Sequence, residues 1–250
     1  MIYFSRWSLF CAILLGSLLI LLFHFGICRE KIAFKKAIIP YFVLLFFIFL
    51  RIVLPIDSDA FIVLRSKYVL TVMSNLWKIQ VYKRITIGMA FYAIWGSGAI
   101  ISLCGWCMVL KRDIRKLREL KMNSNPISNE YSYIAKRVGL NPSRIFVSDK
   151  IGEVVTVGIR DYMILLPELD YSENDMINIL SHEASHVEHA DILIRMVLHV
   201  FCCLFWWNPI FKLLESDYAI LMEYRCDENA VKHCSLAEKI DYVETLKKWR

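Results

Sequence analysis

The sequence predicts a chain in two parts: an α-helical membrane anchor of three spans over residues 1–122, then an α+β domain over residues 123–250. Three observations carry this. Hydrophobic residues make up 57% of the chain and the mean hydropathy is +0.46, beyond the range of ordinary soluble domains. The charge is divided: residues 1–121 hold 17 Lys and Arg against 5 Asp and Glu, a net +12, whereas residues 122–250 hold 13 against 19, a net −6. Past residue 129 the long uncharged runs give way to short β-type runs and then to helical patterns rich in charge.

The anchor reads in order. Residues 7–28 are uncharged between Arg6 and Arg29, long enough to span a bilayer and without the small-residue cleavage site of a signal peptide. Residues 37–56 form a second span if Arg51 extends its head group toward the interface. Between them lie Arg29, Lys31, Lys35 and Lys36 against one acid, Glu30. The positive-inside rule puts that loop in the cytoplasm and the N-terminus outside. Residues 57–84 are then an external loop, lying on the membrane or forming an interfacial helix. Residues 85–110 are the third span, and six basic residues between 111 and 121 mark its cytoplasmic end. Everything after it is expected in the cytoplasm. The basic surplus belongs to the membrane half, so it points to an anionic lipid leaflet, and no direct nucleic-acid partner is expected. The eight cysteines lie mostly in apolar stretches and form no secreted disulfide framework; Cys104 and Cys107 read as small packing residues.

In the second part, residues 123–126 (Asn-Ser-Asn-Pro) form a turn-like linker and mark the domain boundary. A short helix is expected over 129–138, stopped by Gly139 and Pro142, followed by β-type runs at 144–148, 154–159 and 162–166. A helix over 174–190 starts from a somewhat weak cap, Ser172 with Asp175. Residues 196–211 are uncharged but short and broken by Asn208-Pro209, and are read as an embedded hairpin or a helix packed against the anchor. A further helix covers 210–232, and Ser235 with Glu238 opens a last one running to Arg250.

The chemistry is concentrated in His182-Glu183-Ala184-Ser185-His186. On a helix, positions i and i+4 share a face, so His182 and His186 offer two imidazoles to one Zn²⁺. Glu183 is placed to take a proton from the water that the ion activates, the arrangement a metallopeptidase needs. A third ligand is required, and His189, Asp191, His199, Glu215, Asp217, Glu223 and Asp227 are the downstream choices. His189 and Asp191 are one turn beyond His186 with no Gly to bend the chain back, which makes them poor ligands for the same ion. Glu223 and Asp227 share a face of the later helix. Glu223 is the better ligand, with Asp227 orienting a ligand histidine.

These residues resemble the gluzincin membrane peptidases, and more closely the BlaR/MecR-type antirepressor metallopeptidases. The match rests on Ile164-Leu165-Leu166-Pro167, on residues 182–191, on Trp206-Trp207-Asn208-Pro209-Ile210 and on Glu223-Tyr224-Arg225-Cys226-Asp227. The resemblance implies a zincin-like metallopeptidase domain with one Zn²⁺. It also implies an edge strand near the metal that holds substrate by strand addition, for which residues 154–158 are the choice. It further implies a cytoplasmic protein substrate, a transcriptional repressor, cleaved in response to an envelope signal. The sensors of that type continue into a fourth span and an external sensor domain, whereas this sequence ends at Arg250 without a Ser-x-x-Lys sensor motif, which puts β-lactam sensing in doubt. Two rivals stand beside it: a housekeeping gluzincin degrading membrane proteins, and a catalytically silent membrane scaffold. Homo-oligomerisation is left open.

Overall fold

The computed structural model describes residues 2–4, 6–29, 43, 46–47, 50, 56–58, 67–232 and 234–249. The expected basic loop and second span, apart from isolated positions, lie outside the described residues. The chain divides into two compact units, Met1–Cys104 with Val200–Asp217, and Gly105–His199 with Tyr218–Arg250.

In the first unit, helix α1 (Arg6–Arg29) contains the apolar stretch Phe10–Phe25. Helix α2 (Lys67–Lys78) falls in the expected external loop, and a small hairpin of β3 (Gln80–Tyr82) and β4 (Ile85–Thr86) follows it. Strands β1 (Ile2–Phe4) and β2 (Ile56–Ser58) pair antiparallel. Helix α3 (Ile87–Met122) is, among the described residues, the one helix long and apolar enough to cross a membrane. Its 36 residues span roughly 54 Å at 1.5 Å per residue, well beyond a bilayer core of about 30 Å, so the basic run is its last turns and not a separate loop. Leu14, Leu18 and Leu22 of α1, and Ile94, Ile101 and Met108 of α3, are exposed, as lipid-facing side chains are. Cys104 and Cys107, expected to pack, are exposed on α3 with free thiols.

The uncharged stretch 196–211 is a helical hairpin: α6 (Asp191–Leu204), a turn at 205–209, then α7 (Ile210–Ala230). Asn208 makes the turn, its Oδ1 accepting from Ile210 N at 3.1 Å while its Nδ2 donates to Ser17 Oγ at 2.9 Å. Trp206 donates to the Trp95 carbonyl at 3.2 Å, and Trp95 to that of Leu204 at 2.6 Å. Gly98 permits this approach: a Cβ there would stand 2.2 Å from the Trp206 ring.

The second unit is built on a four-stranded sheet of order β5-β6-β8-β7, with β5 (Asn125–Pro126), β6 (Ile145–Ser148), β7 (Val155–Val157) and β8 (Met163–Pro167). The β6–β8 pair is parallel and the outer pairs antiparallel. β8 is central and apolar, with Ile164, Leu165 and Leu166 fully buried. Ile164 and Leu166 join Ile134 and Ala135 of α4 (Asn129–Arg137) and Met176, Ile179 and Leu180 of α5 (Glu173–Glu188) in one core. The linker departs from expectation: Asn125 and Pro126 pair with Val147 and Phe146, and Pro is tolerated there because β5 is an edge. Arg144 leaves the expected strand for a 3₁₀ turn, Pro142–Arg144. The 154–159 run ends at Val157 because Gly158 turns with φ +91, where a Cβ would lie 2.6 Å from the Asp161 carbonyl oxygen. That turn makes β7 the other edge of the sheet.

Candidate metal centre

Four helices and one strand position the site. Helix α5 carries His182, Glu183 and His186. It starts from a full capping box, with Ser172 Oγ accepting from Asp175 N at 3.1 Å and Asp175 Oδ2 from Ser172 N at 3.2 Å. Helix α7 supplies Glu223 and Asp227, and α8 (Leu236–Trp249), opened by Ser235 and Glu238, packs beside α5.

His182 Nε2 and His186 Nε2 are 3.1 Å apart. Glu223 Oε2 is 3.6 Å from the first and Oε1 3.8 Å from the second. Ligand bonds of about 2.0–2.1 Å in tetrahedral array place donors roughly 3.4 Å apart, so these spacings fit one small metal ion. The hydrogen-bond chemistry gives a second test. His186 Nδ1 is 2.9 Å from Asp191 Oδ2, and His182 Nδ1 is 3.0 Å from Asp227 Oδ1. An ionised carboxylate only accepts, so each Nδ1 is the donor, and in the neutral imidazole that leaves Nε2 as the lone-pair nitrogen. Two bare ring nitrogens aimed at one point have nothing to donate to each other, and a cation between them satisfies both.

Asp191 corrects the sequence reading in part. The chain bends back without glycine, because Ala190 takes φ +52 between α5 and α6. The bend sets Asp191, 1% exposed, behind His186, on the side away from Nε2. Tyr218 donates to Asp191 Oδ1 at 3.2 Å and Arg225 pairs with the same oxygen. Burial opposes its ionisation, but the hydrogen bonds from His186 and Arg225 outweigh it and hold the carboxyl below the usual range. Cys226 Sγ also lies 3.3 Å from His186 Nδ1; burial pushes that thiol up to about 12, so the set His186, Asp191 and Cys226 offers a neutral thiol and an already paired carboxylate to a metal.

Glu183 is buried, and Thr156 Oγ1 of β7 donates to its Oε2 at 2.6 Å. The residues face a cleft of about 290 Å³ walled by Val154, Val155, Ile192, Arg195, Met222 and Leu246. Edge strand β7 therefore runs along the cleft, as the resemblance led one to expect. The sequence reading did not find Thr156 as a partner of Glu183, or Tyr242, whose hydroxyl is 2.9 Å from His182 Nδ1 and donates to Asp227 Oδ1 at 2.8 Å. Neither stands at a motif spacing; of the groups behind the two histidines, Asp227 was named in advance.

Geometry of this kind defines a class, the metallohydrolases that work with two helix-borne histidines and a neighbouring glutamate. Comparison with known proteins makes it particular: the family BlaR1 peptidase M56 matches residues 36–249, and the chain belongs to that family of metallopeptidases. It is similar to the regulatory protein BlaR1 of Bacillus licheniformis, 26% identical over 171 residues that cover 65% of this chain and 28% of that protein. It is likewise similar to the methicillin resistance mecR1 proteins of Staphylococcus aureus and Staphylococcus epidermidis, each 26% identical over 167 residues, 62% of this chain and 27% of the relative. The chain thus spans little more than a quarter of the length of these relatives.

Proposed function

We propose that this chain is a membrane-embedded zinc endopeptidase that cleaves a protein substrate on the cytoplasmic side and so inactivates a transcriptional repressor in a signalling pathway. The observation that carries the reading is the pair of Nε2 atoms 3.1 Å apart, closed by Glu223, with Glu183 in the same cleft. The regulatory role is supported by the names of the relatives, a regulatory protein and methicillin resistance proteins. The cytoplasmic placement is supported by the basic end of α3. In this reading residues 1–122 are a three-span anchor in the lipid bilayer with the N-terminus outside, and residues 123–250 are the catalytic domain.

His182, His186 and Glu223 would hold one Zn²⁺, and Asp227 and Asp191 fix the two imidazole rings from behind. Zinc bound there would lower the pKa of water toward neutrality and polarise the scissile carbonyl. The substrate extends along β7 as an added strand, which sets its carbonyl over the site. Thr156 holds Glu183 Oε2, leaving Oε1 for the attacking water. Glu183 takes the proton as the water oxygen bonds to the carbonyl carbon, then delivers it to the amine nitrogen as the C–N bond breaks. The test is cleavage of cytoplasmic repressor proteins by the membrane-reconstituted chain, with Glu183→Gln as the control. Cleavage by wild type and loss of at least about a hundredfold in the variant are expected; equal cleavage by both would remove Glu183 from the chemistry.

A further inference from the structure

The last helix contributes to the metal centre. We infer that Tyr242 is a positioning residue that holds His182 in its metal-binding tautomer, an inference that rests on the metallopeptidase reading. Tyr242 is 3% exposed. Both neighbours of its hydroxyl belong to the centre: it donates to Asp227 Oδ1 at 2.8 Å and lies 2.9 Å from His182 Nδ1. Because Asp227 takes the hydroxyl hydrogen, the oxygen's lone pairs face Nδ1, where they accept from the ring N–H that Asp227 also shares at 3.0 Å. The three groups close a ring in which every donor has an acceptor only if Nδ1 carries a hydrogen, and in the neutral imidazole that leaves Nε2 for the metal.

A phenylalanine would fill the same volume, so packing alone does not explain a buried hydroxyl at this point. Tyr171 shows the structural alternative: it is also buried, and its hydroxyl donates to a strand-end carbonyl, Pro167 O, at 2.8 Å. The position of Tyr242 is set by a separate clamp on the same face of α8. Thr245 donates to Asp175 Oδ1 at 3.0 Å, and Asn178 donates to Thr245 Oγ1 at 3.1 Å and to Asp241 Oδ2 at 3.3 Å. Asp175 thus caps α5 with one oxygen and anchors α8 with the other. The pair α5 and α7 supplies the ligands, and α8 orients one of them.

The experiment is a chelator-competition titration of Zn²⁺ on the full detergent-purified chain, with the absorption spectrum of the Co²⁺-loaded protein as a second readout. Tyr242→Phe is expected to weaken zinc affinity by about tenfold or more and to alter the cobalt spectrum. Tyr171→Phe, which removes a buried hydroxyl that touches no group of the ring, is expected to leave both at wild type. Asp227→Asn guards against a Phe variant that does not fold: it breaks the ring from α7, and combined with Tyr242→Phe it should cost clearly less than the two single losses together. Wild-type affinity in Tyr242→Phe, or an equal loss in Tyr171→Phe, would overturn the inference while leaving the peptidase reading intact. A wild-type chain that binds no zinc would overturn both.

Discussion

Asp191→Asn destabilises the second unit, and its cost follows from the contacts. The carboxylate is 1% exposed and meets His186 Nδ1 at 2.9 Å, Tyr218 at 3.2 Å and the Arg225 guanidinium, itself only 14% exposed. An amide keeps the shape but removes the charge, which leaves Arg225 buried without that counter-ion. Breaking a buried pair in this way costs about 3–5 kcal/mol, against total stabilities of about 5–15 kcal/mol. The folded-to-unfolded ratio should therefore fall by on the order of a hundredfold or more. Removing the stranded cation as well should recover part of the loss, so Asp191→Asn with Arg225→Met is expected to sit at least about 1 kcal/mol above the sum of the single effects. The assay is thermal and denaturant unfolding in detergent with chelator present, so that metal binding does not contribute. A single variant within about 1 kcal/mol of wild type, or an additive double variant, would refute the argument that this pair is a buried, mutually dependent one.

Two further substitutions test neighbouring parts of the geometry. Thr156→Val removes the donor at 2.6 Å from Glu183 without changing the side-chain shape. It should lower kcat by about tenfold with zinc content unchanged, Thr156→Ser should restore most of it, and steady-state kinetics beside metal analysis decides the point. Ala190 adopts φ +52, a conformation costing an L residue about 1–2 kcal/mol, so Ala190→Gly should be neutral or stabilising by up to about 1 kcal/mol while Ala190→Val destabilises. A fall in Tm for the glycine variant as large as that for valine would contradict the strained bend.

What the sequence disclosed and what it hid have separate physical causes. The metal helix, its Ser172–Asp175 cap and the Glu223–Asp227 face follow from local periodicity and hydrogen-bonding chemistry, and all were readable. The β-type runs near 145, 155 and 163 were also readable, because β8 is buried on both faces and is apolar throughout. The bend that carries Asp191 behind His186 was not foreseen because the left-handed turn falls on an alanine, a residue that rarely adopts it, so no punctuation marked it. Asn125 and Pro126 read as linker because turn residues at a sheet edge have the same composition as turn residues in a loop. The basic run after the third apolar segment continues the same helix, since Lys and Arg are good helix formers and nothing between 87 and 122 breaks it. Tyr242 lies 60 residues from the histidine it touches; only the packing of α8 on α5 brings them together.

The central claim is that His182, His186 and Glu223 form one zinc site, and metal content tests it most directly. The chain should be purified in detergent without chelator, wild type beside Glu223→Gln, and zinc per chain measured by elemental analysis after equilibrium dialysis at limiting free metal. One zinc per chain is expected in the wild type and clearly less than one in the variant, with both folded. Wild-type protein that holds no zinc, or a variant that holds as much as the wild type, would contradict it.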